Sequence, residues 1–108
     1  MSYETKILPS GIIIENKPDK YQKCCWFIKD TDILHNEGEP AVEYNNDTKV
    51  WYQHDKEHRL DGPAVEYPDG GKFYYIDEIV YRESDYWNHP DVLAYRYLKE
   101  HPELEGFV

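Results

Sequence analysis

An internal repeat constrains the fold of this chain more than any other feature of its sequence. Residues 63–67 (PAVEY) repeat residues 40–44 without a change, 23 positions later. The same offset places residues 49–52 over residues 72–75, and His35 over His58. A period of this length is typical of short supersecondary units that bury their apolar faces by stacking. We therefore expect consecutive copies of one structural unit.

Each copy has the pattern of a β-hairpin. Val65 and Tyr67 alternate with polar or small residues and so share one face of a strand. The sequence PDGG at residues 68–71 favours a hairpin turn, and the aromatic residues 72–76 favour a returning strand. The unit is too short for a βαβ crossover. The predicted fold is mainly β with one C-terminal helix, an antiparallel β-meander of stacked ~23-residue hairpins with about six to eight strands.

The two ends of the chain flank the repeats within one predicted domain, residues 1–108. Residues 1–25 are predicted to form N-terminal strands, residues 26–87 the repeats, and residues 88–108 a helix and tail. The sequence His89-Pro90-Asp91 suits a helix N-terminus, and Pro102 suits its end. This helix is predicted to cap the sheet; docking of a partner is the alternative. Its predicted apolar face comprises Leu93, Ala94, Tyr97 and Leu98.

The central copy resembles the MORN-like repeats of small bacteriophage and large-virus proteins. The resemblance is carried by Trp51-Tyr52, by HRLDGPA at residues 58–64 and by Asp69-Gly70. It extends over residues 26–82, about half of the chain, but the full signature occurs once, at residues 51–67. The flanking copies carry Asn36 in place of the arginine and Tyr81 in place of the histidine. The resemblance implies stacked hairpins and a viral source, and it implies no particular activity.

The charge of the chain limits its partners. Twelve basic and 22 acidic residues give a formal net charge of −10. This balance argues against binding a nucleic-acid backbone or an anionic membrane, and favours a basic protein. Residues 1–29 carry five lysines against three acids, so the negative charge belongs to the repeats and the helix. The first segment then protects a sheet edge or meets the acidic part of another copy. No signal peptide is predicted and a cytoplasmic location is expected, the host cytoplasm for a viral protein.

The sequence contains no recognisable catalytic or metal-binding motif. The adjacent Cys24 and Cys25 do not have zinc or redox spacing, and no serine lies in a nucleophile elbow. His35 and His58 are equivalent positions of the repeat, so an architectural role explains their recurrence. We therefore expect no enzyme activity, no metal and no cofactor.

Aromatic residues are the main candidates for binding. Trp26, Trp51 and Tyr74 are repeat-equivalent and alternate along the chain with Phe27, Tyr52 and Tyr75. One of these two ladders is expected in the core, and the other on the surface. Tyr86 and Trp87 form a further cluster beside acidic residues, either exposed or packed under the helix. The predicted binding residues are Trp26, Trp51, Tyr52, His58, Arg59, Tyr74, Tyr75, Arg82, Tyr86 and Trp87.

Three functions are compatible with these features. The favoured one is a small acidic inhibitor or anti-defence protein of phage type, which binds a host protein through an acidic, aromatic-rich surface. The alternative is a protein that sequesters a nucleotide or other small molecule by aromatic stacking and through Arg59 and Arg82. The third is a structural repeat module that self-associates into a homo-oligomer.

Overall fold

The computed structural model describes residues 3–107, with side chains through residue 104. Met1, Ser2 and Val108, which the predicted domain includes, lie outside the described residues. The protein is mainly β. Its strands are β1 (Glu4–Ile7), β2 (Ile13–Asn16), β3 (Gln22–Ile28), β4 (Val42–Tyr44), β5 (Lys49–Val50), β6 (Tyr52–Gln53), β7 (Lys56–Glu57), β8 (Val65–Glu66), β9 (Lys72–Ile76) and β10 (Ile79–Tyr81). The helices α1 (Glu83–Trp87) and α2 (Pro90–Glu100) follow, and the 3₁₀ helix Pro102–Phe107 comes last.

The strands form an antiparallel meander, which confirms the predicted fold class. Eight of them make one sheet in the order β1-β2-β3-β4-β5-β8-β9-β10, while β6 and β7 pair only with each other. Neighbours in the large sheet are neighbours along the chain except where the β6–β7 hairpin projects between β5 and β8. Residues 83–87, assigned to the repeats from the sequence, form α1.

The repeat is visible in the hydrogen bonds. The amide of Ala41 donates to the carbonyl of Val50 at 3.0 Å, and the amide of Ala64 donates to Phe73 at 2.9 Å, 23 residues later. Asp47 and Gly70 occupy equivalent hairpin turns, and both have positive φ, 74° and 93°. Glycine adopts that conformation without strain, which explains its place in the PDGG turn. The two copies therefore share their backbone geometry as well as their sequence.

The helices cover one face of the sheet at its C-terminal end. Tyr74 and Ile76 of β9 pack with Tyr86 of α1 and Val92 of α2, and this side is called the helix-side face below. The first aromatic ladder, Trp26, Trp51 and Tyr74, is buried. We expected one of the two ladders in the core, and it is this one. Burial of a side chain of this size contributes about 1.5–3 kcal/mol to folding.

The opposite face of the sheet, called the open face, becomes more exposed toward the last strands. Its cross-strand partners run from Cys25 through Val42, Val50 and Val65 to Phe73. The first four of these side chains are buried, whereas Phe73 is 46% exposed. The open face is therefore least covered around β8 and β9.

Helix α2 begins and ends as predicted, but it does not bury the predicted face. Its N-cap His89 accepts a hydrogen bond from the amide of Asp91 through Nδ1, at 3.1 Å. Val92 is fully buried, whereas Leu93 is 47% and Tyr97 53% exposed. Ala94 is also exposed and Leu98 is half-buried, so the predicted stripe is wrong. The helix contacts the core cluster through Val92 in its first turn, and Tyr95 and Leu98 continue that side at helical spacing.

No helix among the described residues is both long enough and apolar enough to cross a membrane.

Candidate functional site

The HRLDGPA segment builds a loop around the side chain of Arg59. The guanidinium carbon lies 3.9 Å from the centroid of the Trp51 ring. The guanidinium donates to the carbonyl of Pro63 at 3.0 Å and to carboxylates of Asp61 and Glu66, each at 2.9 Å. A partly buried cation–π contact and charge-assisted hydrogen bonds together fix the side chain. Arg59 is therefore engaged within the chain and is not a free anion receptor.

Gly62 is required by the position of that guanidinium. A Cβ atom at residue 62 would lie 2.9 Å from the Arg59 Cζ, closer than a carbon–carbon contact allows. On the same loop, the amide of Gly62 donates to the hydroxyl of Tyr86 at 3.1 Å. That hydroxyl in turn donates to the carbonyl of Arg59 at 2.6 Å. Tyr86, which is fully buried, thus closes the loop from α1.

The two repeat-equivalent histidines hold equivalent turns. The amide of Asp77 donates to Nδ1 of His58, and the amide of His54 donates to Nδ1 of His35, both at 3.1 Å. Each histidine anchors a two-residue turn with positive φ, which is typical of a type I′ hairpin. These contacts give His35 and His58 the architectural role expected from their recurrence.

The second nitrogens of these histidines differ. Nε2 of His35 lies 2.9 Å from a carboxylate oxygen of Glu37 and donates to it. Leu60 occupies the position equivalent to Glu37 in the next copy. As a result, Nε2 of His58 has no hydrogen-bond acceptor among the described side chains.

A cavity of about 420 Å³ is lined in part by His58. Trp51, His58 and Arg59 from the predicted set line it, together with Tyr95 and Lys99 of α2. Arg82 is exposed and is not part of its lining, so the structure does not bring the two arginines together here. The proposed pairing of Arg59 and Arg82 around a nucleotide is therefore not seen. Tyr95 and Lys99 were missed because only the helix packing brings them to the repeats.

The second aromatic ladder is half-buried instead of exposed as expected. Phe27 and Tyr52 pack against the core cluster of Cys25, Ala41 and Val42. Burial raises the pKa of Tyr52 to about 12, since the phenolate would lose solvation. Tyr75 is also half-buried. Phe27 lies two residues from Cys25 on the same face of β3, so its ring covers small neighbouring side chains instead of facing solvent.

The cluster of Tyr86 and Trp87 packs inward. The two ring centroids are 4.9 Å apart, and each ring contacts Tyr74. Tyr86 is fully buried and Trp87 is half-buried. Of the two readings of this cluster, the structure matches packing beneath the helices.

An exposed apolar cluster lies instead on the open face, and we call it the edge patch (Tyr67, Phe73 and Val80). Tyr67 is 45%, Phe73 46% and Val80 55% exposed. The rings of Tyr67 and Phe73 meet edge to face, with centroids 5.9 Å apart. Val80 pairs across the sheet with Tyr75, which lies on the same side as Phe73. Strand alternation could have indicated this patch, because it places Val65, Tyr67 and Phe73 on one face.

Acidic residues surround the edge patch in sequence. Residues 65–85 contain six acidic and two basic residues.

The described side chains contain no cluster of His, Cys, Asp and Glu able to hold a metal ion. Burial raises the pKa of Cys25 to about 11, so its thiol is protonated at neutral pH.

Glu37 is expected to make the protein sensitive to acid. Burial alone would raise its pKa, but hydrogen bonds from His35 and Ser10 outweigh that effect and hold the pKa below its ordinary 4.5. A carboxylate with a lowered pKa stabilises the fold above its unfolded-state pKa, and this contribution disappears as pH falls through the folded-state pKa. Glu37→Gln should therefore lower the free energy of unfolding by about 1–2 kcal/mol at neutral pH and flatten its decline below pH 4.5.

Urea unfolding at a series of pH values measures this difference. Glu39→Gln is the matched control, because the Glu39 side chain is 69% exposed. Equal acid sensitivity in the Glu37→Gln variant and the wild type would contradict the assignment.

Comparisons of the chain with protein-family models, with curated proteins and with solved structures gave no match.

Proposed function

We propose that the protein is a non-enzymatic binding protein that attaches to a basic protein surface through the edge patch. The observation that carries this proposal is the half-exposed Tyr67–Phe73 pair on the open face of the sheet. We further propose that it is an inhibitor or anti-defence protein of phage type, which acts in the host cytoplasm. The resemblance of residues 51–67 to MORN-like repeats supports the viral origin.

The edge patch has the physical character of a binding hot spot. Tyrosine and phenylalanine offer a large contact area and have few rotatable bonds to immobilise. The Tyr67 backbone is fixed by the hydrogen bond from its amide to the carbonyl of Gly71, at 2.9 Å. Binding would therefore require little ordering of the patch, which favours affinity.

The charge around the patch favours a basic partner. Asp69 in the β8–β9 turn and Glu78 in the β9–β10 turn are both exposed and lie at the two ends of β9. Carboxylates around an apolar centre attract a complementary surface of Lys and Arg and accelerate association. The expected partner therefore presents basic residues around an apolar pocket, and its affinity should fall as salt concentration rises.

The double variant Tyr67→Ser/Phe73→Ser tests this proposal. The immobilised wild-type protein should retain one partner from a host lysate at stoichiometric yield at low salt. The double variant should lose about 2–4 kcal/mol of binding free energy, a decrease of roughly 30-fold or more in affinity for that purified partner.

Leu93→Ser/Tyr97→Ser is the matched control, because it removes two comparably exposed apolar side chains on α2. The control should bind as the wild type does. The proposal is wrong if no partner is retained at low salt, or if the patch variant keeps wild-type affinity.

A self-associating structural module is the competing function. Light scattering during size-exclusion chromatography distinguishes the two, since the proposal predicts a monomer of 13.0 kDa in the absence of a partner.

A further inference from the structure

We infer that the cavity between the second repeat and α2 binds a small organic anion, a carboxylate or a phosphate monoester. This inference is independent of the proposed function, because the edge patch does not line the cavity. The wall includes Trp51, His58 and Gln53 from the repeat and Tyr95 and Lys99 from the helix.

Two hydrogen-bond donors on this wall are open to a ligand, Nε2 of His58 and the ammonium of Lys99. The indole Nε1–H of Trp51 also has no partner among the described residues, but it is buried out of reach of a ligand in the cavity. Lys99 makes no ion pair with the described residues, and its ammonium lies 5.3 Å from the centroid of the Tyr95 ring. Nε2 of His58 has no acceptor either. A ligand that supplies anionic oxygens gives both accessible donors an acceptor, in charge-assisted hydrogen bonds.

His58 presents a hydrogen at Nε2 in either protonation state. In neutral histidine, Nδ1 accepts from the amide of Asp77, so the proton must be on Nε2. In the charged form both nitrogens carry hydrogens, and the Asp77 carboxylate oxygen at 3.1 Å pairs with Nδ1. The comparison with His35 shows what this nitrogen binds when an acceptor is present, because Nε2 of His35 donates to the carboxylate of Glu37. The ligand would place an anionic oxygen where the second copy has lost its carboxylate.

The acidic residues of the wall are held by hydrogen bonds within the protein. Glu37 accepts from His35 and Ser10, and Asp61 accepts from Arg59. Their oxygens therefore already accept hydrogen bonds within the protein, whereas Lys99 has no carboxylate partner among the described residues. An anionic ligand oxygen would accept from the two donors that remain, Lys99 and Nε2 of His58, even though the chain as a whole is acidic.

The size of the cavity excludes a bare inorganic ion as its full occupant. Its volume of about 420 Å³ lies in the ordinary range for small-molecule sites. The apolar part of the wall, from Trp51, Leu60 and Tyr95, suits a ring or carbon skeleton attached to the anionic group. A mononucleotide and a small aromatic carboxylate share these properties.

Titration followed by amide and indole NMR tests the inference. The probes are adenosine monophosphate, benzoate and inorganic phosphate, each added to the full chain. We expect at least one organic anion to bind saturably and to shift the indole resonance of Trp51, with Trp26 and Trp87 as internal references. Inorganic phosphate should bind at least tenfold more weakly, because it leaves the apolar wall empty.

Lys99→Gln should weaken binding of the organic anion at least tenfold, and His58→Gln at least threefold. Lys29→Gln is the matched control, because it removes one exposed lysine charge outside the cavity. Lys99 lies on the exposed side of α2, so its substitution should leave the thermal midpoint unchanged. The inference is overturned if neither organic probe shifts the Trp51 resonance, or if Lys99→Gln and Lys29→Gln bind the anion equally.

Discussion

Tyr86→Ala is expected to lower the free energy of unfolding by about 3–5 kcal/mol, the largest effect of any single substitution considered. The side chain is fully buried and packs against Tyr74, with ring centroids 4.7 Å apart. Its removal leaves a cavity at the junction of the sheet and the helices. It also leaves the amide of Gly62 and the carbonyl of Arg59 without their partner.

Tyr86→Phe separates packing from hydrogen bonding. It keeps the ring and removes only the hydroxyl, so a loss of about 1–3 kcal/mol is expected from the unmet groups of the loop. Denaturant unfolding measures both variants. Tyr97→Ala is the control, since Tyr97 is 53% exposed and its loss should change stability by less than about 0.5 kcal/mol. A Phe variant as stable as the wild type would show that the hydroxyl does not close the loop.

Gly62→Ala is expected to destabilise the protein by about 1–3 kcal/mol through overpacking. The added methyl group would lie 2.9 Å from the Arg59 Cζ and 3.2 Å from two guanidinium nitrogens. Although a guanidinium at the end of a flexible side chain often moves aside, this one is held by the Trp51 ring and by three hydrogen-bond acceptors. Displacing it sacrifices those contacts.

A double-mutant cycle isolates this clash. Gly62→Ala should destabilise the wild type more than it destabilises an Arg59→Ala background, by at least about 1 kcal/mol, because the second background has no guanidinium to displace. Equal effects in the two backgrounds would contradict the packing described. Gly38→Ala is no substitute for this test, since Gly38 has a φ of 80° and its strain would arise from the backbone alone.

The repeat made the architecture predictable. Identity between residues 40–44 and 63–67 implied the same strand twice, and the amides of Ala41 and Ala64 make the same bond in both copies. Turn chemistry was also readable, because Asp-Gly at residues 69–70 favours a positive φ. The helix boundaries followed from Pro90 and Pro102. These features are local, so a single sequence contains them.

Burial of particular side chains was less predictable. The apolar stripe predicted for α2 from Leu93 and Tyr97 is mostly exposed. The helix packs on the core through Val92, which lies in one cluster with Tyr86. Likewise, the cavity depends on the position of Tyr95 and Lys99 relative to His58, which are far apart in sequence. The angle at which a helix meets a sheet is a property of tertiary packing, and strand or helix periodicity does not encode it.

Tyr86 makes hydrogen bonds to Arg59 and Gly62, which precede it by 27 and 24 residues. This separation determines when the loop at residues 59–62 can complete its hydrogen bonds during protein synthesis. The chain emerges from the ribosome with its N-terminus first, so residues 59–62 leave the exit tunnel before α1 does. Until residue 86 emerges, the Gly62 amide and the Arg59 carbonyl can bond only to water. The loop at residues 59–62 therefore reaches its final structure only after α1 has emerged. A nascent chain stalled before α1 should be cleaved by protease in this loop.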